Sequence, residues 1–281
     1  MSAATPAGPS PDLRAEVRRA SAALGATGHD HGRPVTSDLS IDEALLLHAV
    51  GWEPVDLVCG VSVTSVPSGV WNWGAGEIVA ASQAQGLAFT GAANRIAEEC
   101  GRAGGHGVVG VHVEATVERH HVDVELVGTA VRPVGAAAKS DVFVSDLSGR
   151  DFSLLRQAGW IPVGLAYGAS FVYAPRRSAG TSLRQTRENV ELANFTEAMY
   201  SARELAMERM QQTAITMGGK GIVEVKVTEG PMPFAHHAIG FAAWGTAVRL
   251  EAETHQYLRP RVVLPLDDAV VEFEAESLRG Q

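Results

Sequence analysis

The chain has 281 residues and a formal net charge of −9, a balance that argues against binding nucleic acid through its phosphate backbone. No apolar run reaches the roughly 18–20 residues that a membrane span needs, and the first residues lack the charged and apolar regions of a secretory signal. Because two cysteines are too few for a disulfide framework, we expect a reduced, cytoplasmic protein without a membrane partner.

The first part of the chain is predicted to be an arm followed by a short helix and a strand. Residues 1–36 are rich in Ala, Gly, Pro and Ser, which predicts a disordered N-terminal arm. Ser40 and Glu43 have the spacing of a capping box, and Gly51 supplies the left-handed residue that ends the helix. Pro54 excludes further helix, so the apolar run Val55–Val63 predicts a strand.

A long helix and two strands come next. Ile78–Ala103 is predicted as a long helix that two glycines end, as is Leu183–Met217 of the second half, which contains strong helix formers and no proline. Beyond the glycines, alternating apolar and polar residues predict a strand with one buried face, formed by Val109, Val111 and Val113. The corresponding valines of the second half are Val223, Val225 and Val227.

Four short motifs occur once in each half of the chain, and the first two pairs are offset by 108 residues. They are Ser37–Ser40 with Ser145–Ser148, Gly51–Val55 with Gly159–Val163, Gly104–Val109 with Gly218–Val223, and Gly128–Arg132 with Gly245–Arg249. Self-similarity at a fixed spacing indicates repeated structural units.

The repeat predicts an α+β protein of two tandem homologous domains, each a small sheet packed against a long helix. The first domain is predicted over residues 37–134 and the second over residues 145–252, with a linker at 135–144. An acidic C-terminal tail is expected at 253–281. The long helix of the second domain is predicted within Leu183–Met217.

The glycine stop, the Gly-[Val/Ile]-Val-x-Val strand after it and the terminal Gly-Thr-Ala-Val resemble the YbjQ-like family of small bacterial proteins. The matching residues are Val55–Gly60, Gly107–Val113 and Gly128–Val131, with Val163–Gly168, Gly221–Val227 and Gly245–Val248 in the second unit. The resemblance implies heavy-metal binding and homo-oligomeric rings. A tandem pair departs from the family's usual single domain, so two repeats either halve the chains in a ring or stack two rings.

Two histidine pairs are the candidate metal ligands: His120, His121, His236 and His237. Each pair precedes the Gly-Thr-Ala motif of its unit by a similar spacing, and imidazole is a common ligand of divalent transition metals. Adjacent residues on a strand point to opposite faces, so one pair cannot chelate an ion alone unless it lies in a turn. The alternative is that these histidines are solvated residues at the start of a strand.

Trp71 and Trp73 flank a glycine-rich insertion and are candidates for anchoring a protein partner or another subunit, with local core packing as the alternative. No Ser/His/Asp or Cys/His arrangement has supporting sequence context. We therefore expect a non-enzymatic, homo-oligomeric or binding protein. Two alternatives stay open: a metal-binding protein that joins the histidines of both repeats, and an enzyme whose site forms across a domain or subunit interface.

Overall fold

The computed structural model describes residues 34–71, 76–136, 141–174, 192–232 and 234–251, and for His236 it describes the backbone alone. Nearly all of the predicted N-terminal arm and all of the predicted C-terminal tail lie outside this part of the chain. So do the first residues of the segment predicted as the second long helix.

The described residues form helices and strands in the predicted order. The helices are α1 (Ile41–Ala49), α2 (Val79–Arg102), α3 (Gly149–Gln157) and α4 (Ala193–Thr216). The strands are β1 (Trp52–Ser65), β2 (Gly76–Glu77), β3 (Gly107–Val117), β4 (His121–Pro133), β5 (Phe143–Val144), β6 (Trp160–Tyr173), β7 (Gly221–Met232) and β8 (Ala235–Leu250). We call α1 to β4 the first unit and α3 to β8 the second unit, and each is a sheet with a long helix, as predicted.

The short helices begin at the predicted caps. Ser40 Oγ accepts the Glu43 N–H at 3.3 Å, and the Glu43 carboxylate accepts the Ser40 N–H at 2.8 Å, which closes a capping box. Ser148 Oγ accepts the Asp151 N–H at 3.1 Å. The glycines that end α1 and α3 have φ angles of +78° and +83°, a conformation that glycine adopts without steric cost.

The strands form two four-stranded sheets that exchange short edge strands. Sheet A has the order β1-β4-β3-β5, and sheet B has the order β2-β6-β8-β7. Strand β2 of the first unit pairs antiparallel with β6 of the second. Strand β5, which falls within the predicted linker at 135–144, pairs parallel with β3. The exchange joins the two units into one body.

Helix α2 lies between the two sheets, and α4 packs on the far face of sheet B. One core cluster contains Val58 and Leu126 of sheet A together with Leu165 and Phe171 of sheet B. A second cluster places the alanines of α4 against sheet B. The order of layers is therefore sheet A, α2, sheet B, α4. Within the described residues, no helix is both long and apolar enough to cross a membrane.

A third cluster covers one end of the outer face of sheet A, the face turned away from α2. Leu47 of α1 and Phe152 of α3 pack there against Val109 and Val131. Since both helices are only nine residues long, they leave the rest of that face uncovered.

The prediction that Val109, Val111 and Val113 share one face is wrong. Gly110 has a φ of +65°, and the pairing of β3 with β4 shifts its register at this point. Such a β-bulge inserts one extra residue, so Val109 lies beneath α1 and α3 while Val111 joins the core around α2. Glu224 occupies the same bulge position in the second unit, with a φ of +54°.

The valines of β7 are less buried than their counterparts in β3. Val225 and Val227 are 43% and 53% exposed, whereas Val111 is 3% exposed. Val111 belongs to the core that sheet A and α2 share with sheet B, whereas α4 lies over β6 and β8 and scarcely reaches β7.

The two copies of the Ser-Asp-Leu-Ser motif make the same contacts. The Thr129 hydroxyl donates to the Asp38 carboxylate and accepts the Asp38 N–H at 3.2 Å. Thr246 makes the equivalent bonds to Asp146 at 2.6 and 3.1 Å. Each motif thus ties the segment before a short helix to the last strand of its unit, so the sequence repeat is also a repeat of contacts.

Candidate functional site

The uncovered part of sheet A presents a row of side chains on β1 that we call the β1 row: Leu57, Cys59, Val61 and Val63. The three apolar members are 37%, 46% and 63% exposed in chain order, and Cys59 is also exposed. Single exposed apolar residues are normal, but a contiguous row is typical of a surface that binds another protein.

The open edge of β1 adjoins this row. Arg95 of α2 donates to the Val61 carbonyl oxygen at 2.8 Å, and the Cys59 N–H donates to Glu99 at 3.1 Å. Backbone groups of alternate residues in an antiparallel strand point to the same edge. The N–H and C=O of Val63 therefore point to this open edge as well.

Sheet B carries the equivalent row, and there it is buried. Leu165, Tyr167, Ala169 and Phe171 lie 108 residues after the members of the β1 row, and their exposed fractions are 2%, 5%, 3% and 1%. Phe89 of α2 stacks on Tyr167, with ring centroids 3.8 Å apart. The same position on the sheet is thus a solvent-facing surface in one unit and a protein interface in the other.

The first unit also completes the edge of β6. The Ile78 N–H donates to the Phe171 carbonyl oxygen at 2.7 Å, and the Phe171 N–H donates to Ser82 Oγ at 3.0 Å. Next to them, Glu77 of β2 forms an ion pair with Arg209 of α4 at 2.6 Å. Backbone hydrogen bonds, an aromatic stack and a charge pair together hold one unit on the other.

The thiol in the β1 row is not activated. Partial burial raises the pKa of Cys59, and the negative charges of Glu99 and Glu125 raise it further. Burial raises the pKa of Cys100 to about 12. Because the thiolate is the reactive form, these raised pKa values disfavour nucleophilic chemistry at either thiol. A role of Cys59 in packing against another surface fits its surroundings better.

Comparison with known proteins identifies relatives of the whole chain and of its second unit. The chain is 35% identical over 246 residues to the encapsulin nanocompartment protein Rv1762c of Mycobacterium tuberculosis, covering 83% of this chain and 92% of that protein. The model of the family YbjQ_1, described as "Putative heavy-metal-binding", matches residues 177–251. The chain belongs to the YbjQ-like family. The UPF0145 protein of Halorubrum lacusprofundi is 35% identical over 77 residues, which are 26% of this chain and 72% of that protein.

The YbjQ-like match covers α4, β7 and β8, whose counterparts in the first unit are α2, β3 and β4. Since the match lies in the second unit, the relation of the first unit to the family depends on the repeated motifs and contacts.

The two histidine pairs of this YbjQ-like chain do not occupy equivalent positions in the two units. Val66 donates its N–H to the His120 carbonyl oxygen, and Ala174 donates its N–H to the His237 carbonyl oxygen, both at 2.7 Å. His120 and His237 are therefore equivalent. His121 corresponds to Ala238, so the two histidine pairs are out of step by one residue.

The described parts of the chain do not gather the predicted ligands at one point. His121 Nε2 lies 3.5 Å from the Asp123 carboxylate, with both side chains partly exposed. The His237 ring lies against Phe195, with 5.6 Å between ring centroids, and the side chain of His236 is outside the description. Among the described residues, no group of three or more His, Cys, Asp or Glu side chains could hold a metal ion. The four-histidine metal site stays a prediction.

The prediction that Trp71 anchors a partner is wrong. Trp71 is 3% exposed and packs edge-on against Phe171 and Phe234 of the second unit. Its indole N–H donates to the Arg119 carbonyl oxygen at 3.1 Å. Trp71 therefore belongs to the core that the two units share, and it anchors one unit to the other within the chain. Trp73 lies outside the described residues.

A cavity of about 410 Å³ lies where the ends of the two units meet. Trp52 and Phe152 line it, together with Arg156 and Glu251, whose side chains form an ion pair at 2.7 Å. This is a place where an enzyme site across the domain interface would lie, and that alternative stays a prediction.

Sequence reasoning did not single out the β1 row, although a signal was present. Leu57, Val61 and Val63 are apolar at positions that alternate with the buried side chains of the same strand. An antiparallel strand with one solvated face normally carries polar residues there. Apolar residues on both faces of β1 indicate that the outer face is also a contact surface.

Proposed function

We propose that this chain is a non-enzymatic assembly protein whose copies form a homo-oligomer. The observation that carries the proposal is the exposed β1 row, whose counterpart in the same chain is a buried interface. Burying apolar surface contributes roughly 25 cal/mol per Å², so covering this row favours association.

The relation to Rv1762c supports a role in a larger protein assembly. That protein is an encapsulin nanocompartment protein, and the similarity extends over 92% of its length. We propose that this chain is likewise a component of an encapsulin nanocompartment. The first unit is in this proposal a second YbjQ-like domain, since it repeats the motifs and the contacts of the second.

The oligomeric state of the purified full-length chain tests the first part of this proposal. We expect size-exclusion chromatography with light scattering, and native mass spectrometry, to show one discrete oligomer at micromolar concentration. A monomer under these conditions would contradict the proposal. For the nanocompartment role, electron microscopy of the chain co-produced with an encapsulin shell protein should show it in closed particles. Particles without the chain would contradict that role and leave self-assembly standing.

Metal binding is the second candidate function, favoured by the family's description and by two exposed histidines, His120 and His237, at equivalent positions. The described part of one chain does not provide a complete ligand set, so this site requires His120, His121, His236 and His237 to meet between repeats or chains. Elemental analysis of the purified protein for zinc, copper and nickel tests it, with a variant in which all four are alanine as the control. Absence of a stoichiometric metal that depends on these histidines would eliminate this function.

A further inference from the structure

The chain contains a complete example of a contact between a long helix and the outer face of a sheet. Helix α2 covers the buried row of sheet B through Phe89, Ile78 and Ser82, which bind Tyr167 and Phe171 as described above. Each partner in this contact has a counterpart elsewhere in the chain. The counterpart of the buried row is the β1 row, and the counterpart of α2 is α4.

Helix α4 reproduces the part of α2 that makes the contact. Both helices have 24 residues. Ile78 precedes α2 with φ and ψ of −89° and 75°, and Leu192 precedes α4 with −86° and 70°. The carbonyl oxygen of this preceding residue accepts two helical N–H groups in both helices. In α4 the Leu192 carbonyl oxygen accepts the N–H groups of Phe195 and Thr196.

The corresponding residues of the second unit are exposed in the part of the chain that the structure describes. Ile78 is 5% exposed because sheet B covers it, whereas Leu192 is 46% exposed. Val225 and Val227 extend the same side of sheet B and are also exposed. A single copy thus has an exposed sheet surface, the β1 row, at one end of its layers. At the other end it has an exposed helix surface on α4.

The two surfaces carry hydrogen-bonding groups at the positions that the contact of α2 with sheet B uses. Thr196 places a hydroxyl where α2 has Ser82. The Ser82 hydroxyl donates to the Ile78 carbonyl oxygen at 3.2 Å and still accepts the Phe171 N–H, so a helix-bonded hydroxyl can accept from a strand. Val63, the equivalent of Phe171, offers the N–H and C=O on the open edge of β1.

The charges of the two open surfaces are also complementary. Exposed Arg203 of α4 occupies the position of Phe89. In sheet A the residue opposite that position is Cys59, and the negative charges of Glu99 and Glu125 act on it. A guanidinium at this point would therefore lie beside two carboxylates, an arrangement that favours the correct partner over others.

We propose that copies of this chain associate head to tail, with α4 of one copy docked on the β1 row of the next, as α2 is docked on sheet B. The proposal depends on the homo-oligomer proposed above and names its interface. Because the two surfaces differ, the contact is heterologous, and repeated contacts close into a ring or continue as a filament.

Two variants of the full-length chain test this interface from its two sides. Val63→Lys damages the sheet surface and Arg203→Glu damages the helix surface, and we expect each to weaken association at least tenfold by analytical ultracentrifugation. Leu87→Lys is the matched control, since Leu87 stays 64% exposed on α2, a helix that belongs to neither surface. Circular dichroism and thermal melts of every variant verify that the fold is retained.

Mixing the two variants separates head-to-tail association from other kinds. The Val63→Lys variant keeps an intact helix surface and the Arg203→Glu variant keeps an intact sheet surface, so the mixture should give 1:1 pairs that do not grow further. Native mass spectrometry with one variant isotopically labelled detects these pairs. If the wild type is oligomeric but the two variants associate normally, or their mixture gives no pairs, this interface is wrong while the homo-oligomer stands. A monomeric wild type would instead overturn the proposed function.

Discussion

Gly60 and Gly168 occupy the same place in the two units, each at the point where the long helix crosses the first strand of its unit. A Cβ atom at Gly60 would lie 2.2 Å from the Ala92 carbonyl oxygen, and one at Gly168 would lie 2.0 Å from the Ala206 carbonyl oxygen. The helix backbone rests directly on the strand backbone at both sites. Only a residue without a side chain permits this approach.

We expect Gly60→Ala and Gly168→Ala to destabilise the fold by roughly 1–3 kcal/mol each, because the helix must move away from the sheet to admit a methyl group. Urea unfolding at a fixed protein concentration measures the effect. The control is Gly86→Ala, at a helical position with nothing within 4 Å of the added Cβ, which should stabilise the chain by about 0.5–1 kcal/mol. Equal stability of all three variants would show that the helices do not lie this close.

Thr246 should contribute to stability through a hydroxyl that serves a buried carboxylate. Thr246→Val removes the donor to Asp146 and the acceptor of the Asp146 N–H, while nearly keeping the side-chain shape. Leaving these buried groups without their partner should cost about 1–3 kcal/mol, measured by urea unfolding. Thr216→Val is the control, because exposed Thr216 bonds only to the Gln212 carbonyl oxygen of its own helix among the contacts described. Similar losses for both variants would contradict this role.

Local signals in the sequence predicted much of this fold. Ser40, Gly51 and Gly159 are positions where capping chemistry or backbone conformation leaves few choices, and the structure confirms them. The repeat of the Ser-Asp-Leu-Ser motif was visible in the sequence, but the residues that the motif contacts were not. Its bonds to Thr129 and Thr246 join residues about a hundred positions apart, a distance over which local propensity carries no information.

The errors arise where long-range packing or an inserted residue overrides the local pattern. The two-residue alternation of β3 fails at Gly110, since a bulge moves Val109 and Val111 to opposite faces. Trp71 looked like a surface anchor because nothing in its neighbourhood shows that the second unit covers it. The same shared core explains why sheet B needs apolar residues on both faces.

Lowering the pH should weaken the ion pair between Glu77 of the first unit and Arg209 of the second. Burial by itself would raise the pKa of Glu77, but the hydrogen bond and charge of Arg209 oppose it, and the pKa lies below the ordinary value of 4.5. A carboxyl with a lowered pKa in the fold contributes stability above its unfolded pKa and loses it as the pH falls through the folded value. The contribution should therefore be complete at pH 7 and be lost progressively as the pH falls below about 4.5, through the lowered pKa of Glu77.

The variant Glu77→Gln isolates this contribution. Because Arg209 is more than a third exposed, solvent screening limits the expected loss at pH 7 to about 0.5–1 kcal/mol. The difference in unfolding free energy between wild type and variant should shrink towards zero as the pH falls from 5 to 3. A difference that stays constant over this range would mean that the ion pair is not the source. Glu251→Gln, at the exposed ion pair with Arg156, provides a comparison.

Cys59 is a natural probe of the β1 row, because it lies at the centre of the proposed interface while Cys100 is fully buried. Maleimide should label Cys59 slowly in the wild-type oligomer and at least tenfold faster in the dissociated Val63→Lys variant, with Cys100 unlabelled in both. In that variant the rate should keep rising beyond the pH at which labelling of an ordinary exposed thiol levels off, since its surroundings raise the pKa of Cys59. Adding Glu125→Gln should raise the rate at pH 8, because removing a negative charge lowers the pKa of the thiol. Peptide mass spectrometry assigns the label, and equal labelling of Cys59 in the oligomer and the dissociated variant would place the subunit contact elsewhere.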